Sequence, residues 1–174
     1  MEQNEPMRWR DWWLRLEAEF TLPSWSCHGP EHWRSVERNA IVLASRTPGA
    51  DLEVARAFAL FHDSQRLDDG WDQEHGPRAA RFIERHRREI PLTDEQIAVL
   101  VRACAGHTIG APLDDPTIGV CWDSDRLDFD RFRYDKPRPE YMSTPAARDI
   151  ALEGGDIRAR IRRMLWDLQS RKTP

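Results

Sequence analysis

Apolar residues recur at offsets of three and four through nearly the whole chain, and no apolar/polar alternation runs long enough to make a strand. That pattern predicts an all-α fold. Trp9, Trp12, Trp13, Leu16 and Phe20 share one face of a first helix, closed by Pro23. A second is expected from Glu31 to Ser45, and Pro48-Gly49 separates it from a third over Asp51 to His62. Pro77, early in a helix where its missing N–H costs nothing, marks a fourth from His75 to Ile90. Thr93-Asp-Glu-Gln96 has the capping-box form and starts a fifth, ending at Gly106. Pro116 to Phe132 carries Ile118, Cys121, Trp122 and Phe129 at helical spacing. A final pair, about 145–152 and 157–170, is split by Gly154-Gly155.

A length of 174 residues suits one domain with one core, and no domain boundary is visible in it. The expected organisation is a single domain over 1–174, with the first helix (8–20) and the last pair (145–170) packed on a central part of about 27–135. The proline-rich Asp135–Tyr141 stretch reads as a surface connection. A net charge of −4 supplies no basic field for nonspecific nucleic-acid binding. No run approaches the ~18 apolar residues of a membrane span, and the first residues lack an apolar signal core. A cytoplasmic protein is the expectation. Cys27, Cys104 and Cys121 are odd in number and show no CxxC spacing, which fits reduced thiols.

Four apolar stripes end in a residue that does not belong in a core. Val36, Ala40 and Leu43 extend back to His32; Ala55, Phe58 and Ala59 extend forward to His62. Ile97, Leu100, Val101 and Cys104 lead to His107, and Ile118, Cys121 and Trp122 lead to Asp125. A buried Asp or His is costly unless paired, hydrogen-bonded or metal-bound. One such residue reads as a hydrogen-bonded core histidine or a helix cap; four at helix ends suggest a shared polar site. Asp63 beside His62 adds a carboxylate, and the set makes a natural shell for a divalent metal. His86, in ERHRRE, lies about 16 Å along the helix from His75 and is expected to face solvent. In SCHGPEH, Cys27, His28 and His32 form a lesser candidate, part of a structural zinc site with no CxxC to complete it.

The ordered set of His32, the His62-Asp63 doublet in ALFHD, and Asp125 in DSDRLD resembles the HD-domain superfamily of metal-dependent phosphohydrolases. The resemblance spans about Cys27 to Tyr134. It implies an all-α, single-domain HD-type helical bundle in which His32, His62, Asp63 and Asp125 hold a divalent metal, with Asp123 supporting them from outside. His75 and His107 occupy the order in which some members add ligands for a second ion. The resemblance therefore implies one or two ions per chain (Fe, Mn, Zn, Mg, Ni or Co), with Asp63 as the bridging ligand. Three residues after the doublet, where mononuclear members place Glu, this chain has Arg66; a base is replaced by a cation that can hold a phosphate oxygen. The implied activity is hydrolysis of a small phosphorylated metabolite or nucleotide by metal-activated water. Asp63 and Arg66 are the catalytic candidates, and Arg66, Arg78 and Arg126 the substrate-binding ones. Trp33, Trp71 and Trp122 are candidates to stack a base, against ordinary packing. Three alternatives stay open: a noncatalytic HD-fold sensor of metal or nucleotide, a helical protein whose His and Asp satisfy one another, and a di-iron redox role.

Overall fold

The computed structural model describes residues 6–132 and 136–171; Tyr134 and Asp135, which close the expected central part and open the proline-rich connection, lie outside them. Eight helices follow in order: α1 (Trp9–Glu19), α2 (Pro30–Ala44), α3 (Leu52–Phe61), α4 (His75–Arg85), α5 (Asp94–Gly106), α6 (Pro116–Leu127), α7 (Pro145–Glu153) and α8 (Ile157–Ser170). No strand occurs among the described residues, and the fold is all-α.

The middle of the bundle is α3. Val54, Ala55 and the run Ala57–Phe61 are all buried, so this helix is apolar on nearly every side and packs against α2, α5 and α6 at once. Its start is held by Asp51, whose Oδ1 accepts from the backbone N–H of Glu53 and Val54. Asp115 caps α6 in the same way, with Pro116 at its first position, and Thr93 and Gln96 form the expected capping box on α5. Gly154 and Gly155, at φ +60° and +73°, turn the chain between α7 and α8.

Helix α1 uses its aromatic face for core packing. Trp12 and Leu16 are buried, and the Trp12 ring meets Phe61 edge-on at 5.3 Å. Its indole N–H donates to the Glu89 carbonyl at 3.2 Å, so the ring buries its apolar body with its one donor satisfied. The same carbonyl accepts from Met7 N at 2.7 Å. One departure from expectation lies at the end of α4, which stops at Arg85 instead of Ile90: residues 86–89 form turns, with Glu89 N and Ile90 N both donating to the His86 carbonyl and the Glu89 carbonyl turned to α1. His86 is consequently not solvent-facing. It is half-buried, 5.9 Å from the Trp12 ring and 4.5 Å from Phe82, with Nδ1 against Glu89 Oε1. Helix α6 likewise ends early, at Leu127, and passes into a 3-10 turn over Asp128–Arg131.

Small residues decide how α4 meets α5. A Cβ on Gly76 would lie 2.4 Å from the Cys104 carbonyl oxygen and 3.2 Å from the His107 ring. Only glycine admits that approach, which brings the first residue of α4, His75, beside the C-cap of α5, His107.

Candidate metal centre

Helix ends gather at one end of the bundle and bring six side chains together. His32 comes from the first turn of α2, His62 caps α3 and Asp63 follows it; His75 opens α4, His107 caps α5, and Asp125 lies in the last turn of α6. The structure brings the expected ligand set together: His32, His62 and Asp63 form one group and Asp63, His75 and His107 an adjoining one, with Asp125 against His32. In one, His32 Nε2 stands 3.1 Å from His62 Nε2 and 3.1 Å from Asp125 Oδ1, and Asp63 Oδ2 lies 3.5 Å from both imidazoles. In the other, His75 Nε2 stands 2.8 Å from His107 Nε2 and 3.1 Å from Asp63 Oδ1. Asp63 presents a different oxygen to each pair.

What lies behind the rings fixes the chemistry of these contacts. His32 Nδ1–H donates to Asp128 Oδ2 at 2.7 Å, and His107 Nδ1–H to the Cys104 carbonyl at 2.8 Å. His62 Nδ1–H is shared between the Phe58 and Ala59 carbonyls, and His75 Nδ1–H goes to the Asp72 carbonyl. With each Nδ1 carrying the proton, a neutral imidazole has a bare lone pair on Nε2. Two pairs of lone pairs therefore face each other, with carboxylate oxygens beside them. Such a donor set requires positive charge between its members.

Titration behaviour agrees. Burial pushes the His62 imidazole down to about 3. Burial also opposes charge on His32 and His107, but hydrogen bonds to Asp125 and Asp128 raise the first and the bond to Asp63 raises the second. Against burial, the surrounding imidazoles hold Asp63 and Asp125 well below the ordinary carboxylate range. Protons on His32 and His107 are one way to meet the demand for charge, and divalent cations are the other. Metal–ligand bonds of about 2.0–2.2 Å put ligand atoms roughly 3.0–3.6 Å apart. Four of the separations, 3.1 to 3.5 Å about His32 and His62, and the 3.1 Å from His75 to Asp63 fall in that span; His75–His107 at 2.8 Å is tighter, and His62–Asp125 and His107–Asp63 at 3.8 Å are wider. These buried His and Asp groups can hold a metal.

Asp128 was missed by sequence reasoning, which assigned the supporting role to Asp123. Asp128 is fully buried and accepts from His32, Ser35 Oγ, Arg131 and Arg158. Those partners outweigh burial and keep it ionised. Asp123 touches none of the six gathered residues. It accepts from Ser143 N, Thr144 N and Thr144 Oγ1 at 2.7–2.8 Å, clasping the start of α7. The sequence signal for Asp128 was available: an inward His needs an acceptor for its second nitrogen, and Asp128 follows Asp125 by one helical turn.

A cleft of about 230 Å³ opens onto Asp63, His75, His107 and Asp125. Arg66, Arg126 and Arg131 line it, with Trp71 at 77% exposure on its wall. Arg66 is buried against Asp63, its Nε 3.7 Å from Oδ1 and without a hydrogen-bond partner. Its Nη1 faces His75 Nδ1 at 3.3 Å, a nitrogen already donating to Asp72. This guanidinium is thus poorly paired. Arg131, also unnoticed in the sequence, has a buried unpartnered Nε and stacks on Phe132 at 4.3 Å. Arg126 is tied to the Tyr141 and Gly110 carbonyls. Arg78 is not among the lining residues: its guanidinium binds the Gln65 carbonyl and Asp72, holding the loop before α4. Of the three tryptophans considered for stacking, Trp33 and Trp122 are buried and donate to the His28 and Ala103 carbonyls. Trp71 alone of these reaches the cleft. Cys27 and His28 meet Asp69, while His32 belongs to the larger cluster.

No family model matches the chain, and no curated protein matches it. Among solved structures, the chain is similar to a predicted HD superfamily hydrolase from an uncultured Thermotogales bacterium, at 22% identity and a TM-score of 0.67. The match covers 98% of this chain and 93% of that one. The chain has the HD-type fold.

Proposed function

We propose that this protein is a metal-dependent phosphohydrolase acting on a small phosphorylated metabolite or nucleotide. The observation that carries the reading is the pair of facing imidazole couples with one oxygen of Asp63 turned to each. His32, His62, Asp63 and Asp125 would hold one divalent cation, and His75, His107 and Asp63 a second. Such cations make a bound water nucleophilic near neutral pH and offset charge on phosphate oxygens. The hydrogen bonds behind the imidazoles hold each Nδ1 proton and aim Nε2 inward, where a cation would displace the proton that His32 and His107 otherwise attract.

Arg66 supplies what the carboxylates cannot. Its unpartnered Nε and weakly engaged Nη atoms donate to the non-bridging oxygens of a phosphoryl group held over Asp63. Arg131 offers a second buried donor on the same cleft. Trp71 gives the leaving group an aromatic surface.

The test is phosphate release from a panel of phosphomonoesters and nucleotides by protein loaded in turn with Mn²⁺, Fe²⁺, Co²⁺ or Zn²⁺. The expected result is turnover that His62→Ala/Asp63→Ala abolishes and Arg66→Ala lowers by about 10²–10³-fold, the usual cost of removing a donor to developing charge. Protein that binds metal and a phosphorylated ligand yet never releases phosphate would overturn the enzymatic reading in favour of a sensor.

A further inference from the structure

A second group of metal-competent side chains stands apart from the six residues above. Cys27 and His28 lie in the loop between α1 and α2, and Asp69 in the loop between α3 and α4. His28 Nδ1 is 3.3 Å from Cys27 Sγ and 2.9 Å from Asp69 Oδ1, and the thiol and carboxylate are 3.8 Å apart. We propose that Cys27, His28 and Asp69 form a separate zinc-type site that joins these two loops, independent of the larger His/Asp cluster.

The hydrogen-bonding alternative leaves the sulfur poorly served. One ring nitrogen carries at most one proton, and the proton on His28 Nδ1 goes to Asp69, the nearer partner. Asp69 Oδ1 also accepts from Ser26 Oγ at 2.6 Å. Cys27 is left facing a nitrogen whose proton is already used and an oxygen at the limit of a sulfur contact. Bond lengths of about 2.3 Å to sulfur and 2.0–2.2 Å to nitrogen and oxygen place tetrahedral donors roughly 3.3–3.6 Å apart. The three separations bracket that interval, so small side-chain movements suffice to admit an ion.

Charge and ligand type favour zinc. A thiolate and a carboxylate together balance a divalent cation, with His28 neutral. Burial and the nearby Asp69 push the Cys27 thiol up, a combination that a coordinated cation reverses by deprotonating the thiol outright. Sulfur and imidazole donors select a borderline-soft metal, whereas the larger site offers nitrogen and oxygen. All three residues are only partly buried, so the remaining coordination position is open to water. The consequence lies on the cleft wall: His28 lines it directly, and Asp69 is two residues from Trp71.

The full-length chain, stripped and titrated with Co²⁺, supplies a readout that does not involve activity. Thiolate coordination gives a near-ultraviolet sulfur-to-cobalt charge-transfer band, which a nitrogen/oxygen site cannot produce. The band is expected in the wild type and in His62→Ala/Asp63→Ala, and its loss is expected in Cys27→Ser, with one zinc fewer per chain by mass spectrometry. Asp69→Asn keeps the thiol and is expected to weaken zinc binding at least tenfold, which covers the case of a Cys27→Ser chain that fails to fold. Absence of the band in the wild type, or its survival in Cys27→Ser, overturns the site; survival would transfer the thiolate to another cysteine, such as Cys104, which burial pushes up and keeps protonated. An unchanged zinc content in Cys27→Ser overturns it equally, whatever the larger cluster binds.

Discussion

At the residue scale, the side chain with most leverage over the cluster is one that does not belong to it. Asp128 determines which nitrogen of His32 faces inward, because its Oδ2 takes the Nδ1 proton at 2.7 Å in a fully buried setting. Replacing it with Asn keeps the shape but removes the charge that Arg131 and Arg158 also rely on. Asp128→Asn is expected to weaken metal binding by about 10–100-fold, measured by competition with a chromogenic chelator. Unchanged affinity would show that the orientation of His32 is set elsewhere. His32, His62, His107 and Asp125 were legible as charged or imidazole positions on apolar stripes, and Asp63 as the carboxylate beside His62. His75 was not, since it precedes the stripe of its own helix; it entered through the resemblance. The sequence put Arg66 ahead of Arg78 by its place three residues after the doublet, but it did not show which of them is already paired. Both are arginines near the doublet, and only the loop's path shows that Arg78 is committed to Asp72 while Arg66 is not.

Among the elements, the α4–α5 contact shows what periodicity conveys and what it omits. Capping residues and prolines located the helix starts well, because those signals are local. The ends of α4 and α6 carry no such local stop signal: each helix tightens into turns, over 86–89 and Asp128–Arg131, and there the Glu89 carbonyl and the Asp128 side chain meet partners from other elements. Which helices touch was not readable, and Gly76 makes the point. In the sequence it is an unremarked residue after His75; in the structure it is where two backbones meet. Gly76→Ala is expected to push α4 from the Cys104 carbonyl, destabilising the protein by about 1–3 kcal/mol. At roughly 2–4 °C per kcal/mol for a chain of this size, the loss is measurable as a fall in Tm. Metal binding at the His75–His107 pair is expected to suffer with it, and a variant with unaltered Tm and metal content would contradict the packing argument.

For the whole molecule, metal and stability are linked. The six gathered residues come from five helices and the turn after α3, so an ion that binds only the folded chain stabilises all of these packings together. At a free concentration a thousand times its Kd, the gain is about 4.1 kcal/mol. A chelator is expected to lower Tm accordingly, and an unchanged Tm would count against occupancy. The effect depends on pH in a definite direction. His32 and His107 have raised values in the metal-free chain, so at lower pH they carry protons that an ion must displace. The difference in Tm between loaded and stripped protein is therefore expected to be full above their titration and to shrink as pH falls through it.

His32 and Asp128 meet across 96 residues, and His62 lies between them in the chain. Contacts that close such distances form late, after local helices have appeared and most of the chain has condensed. Ions gripping this site consequently act as a latch on the finished fold: they should lengthen the time before it opens far more than they shorten the time it takes to assemble.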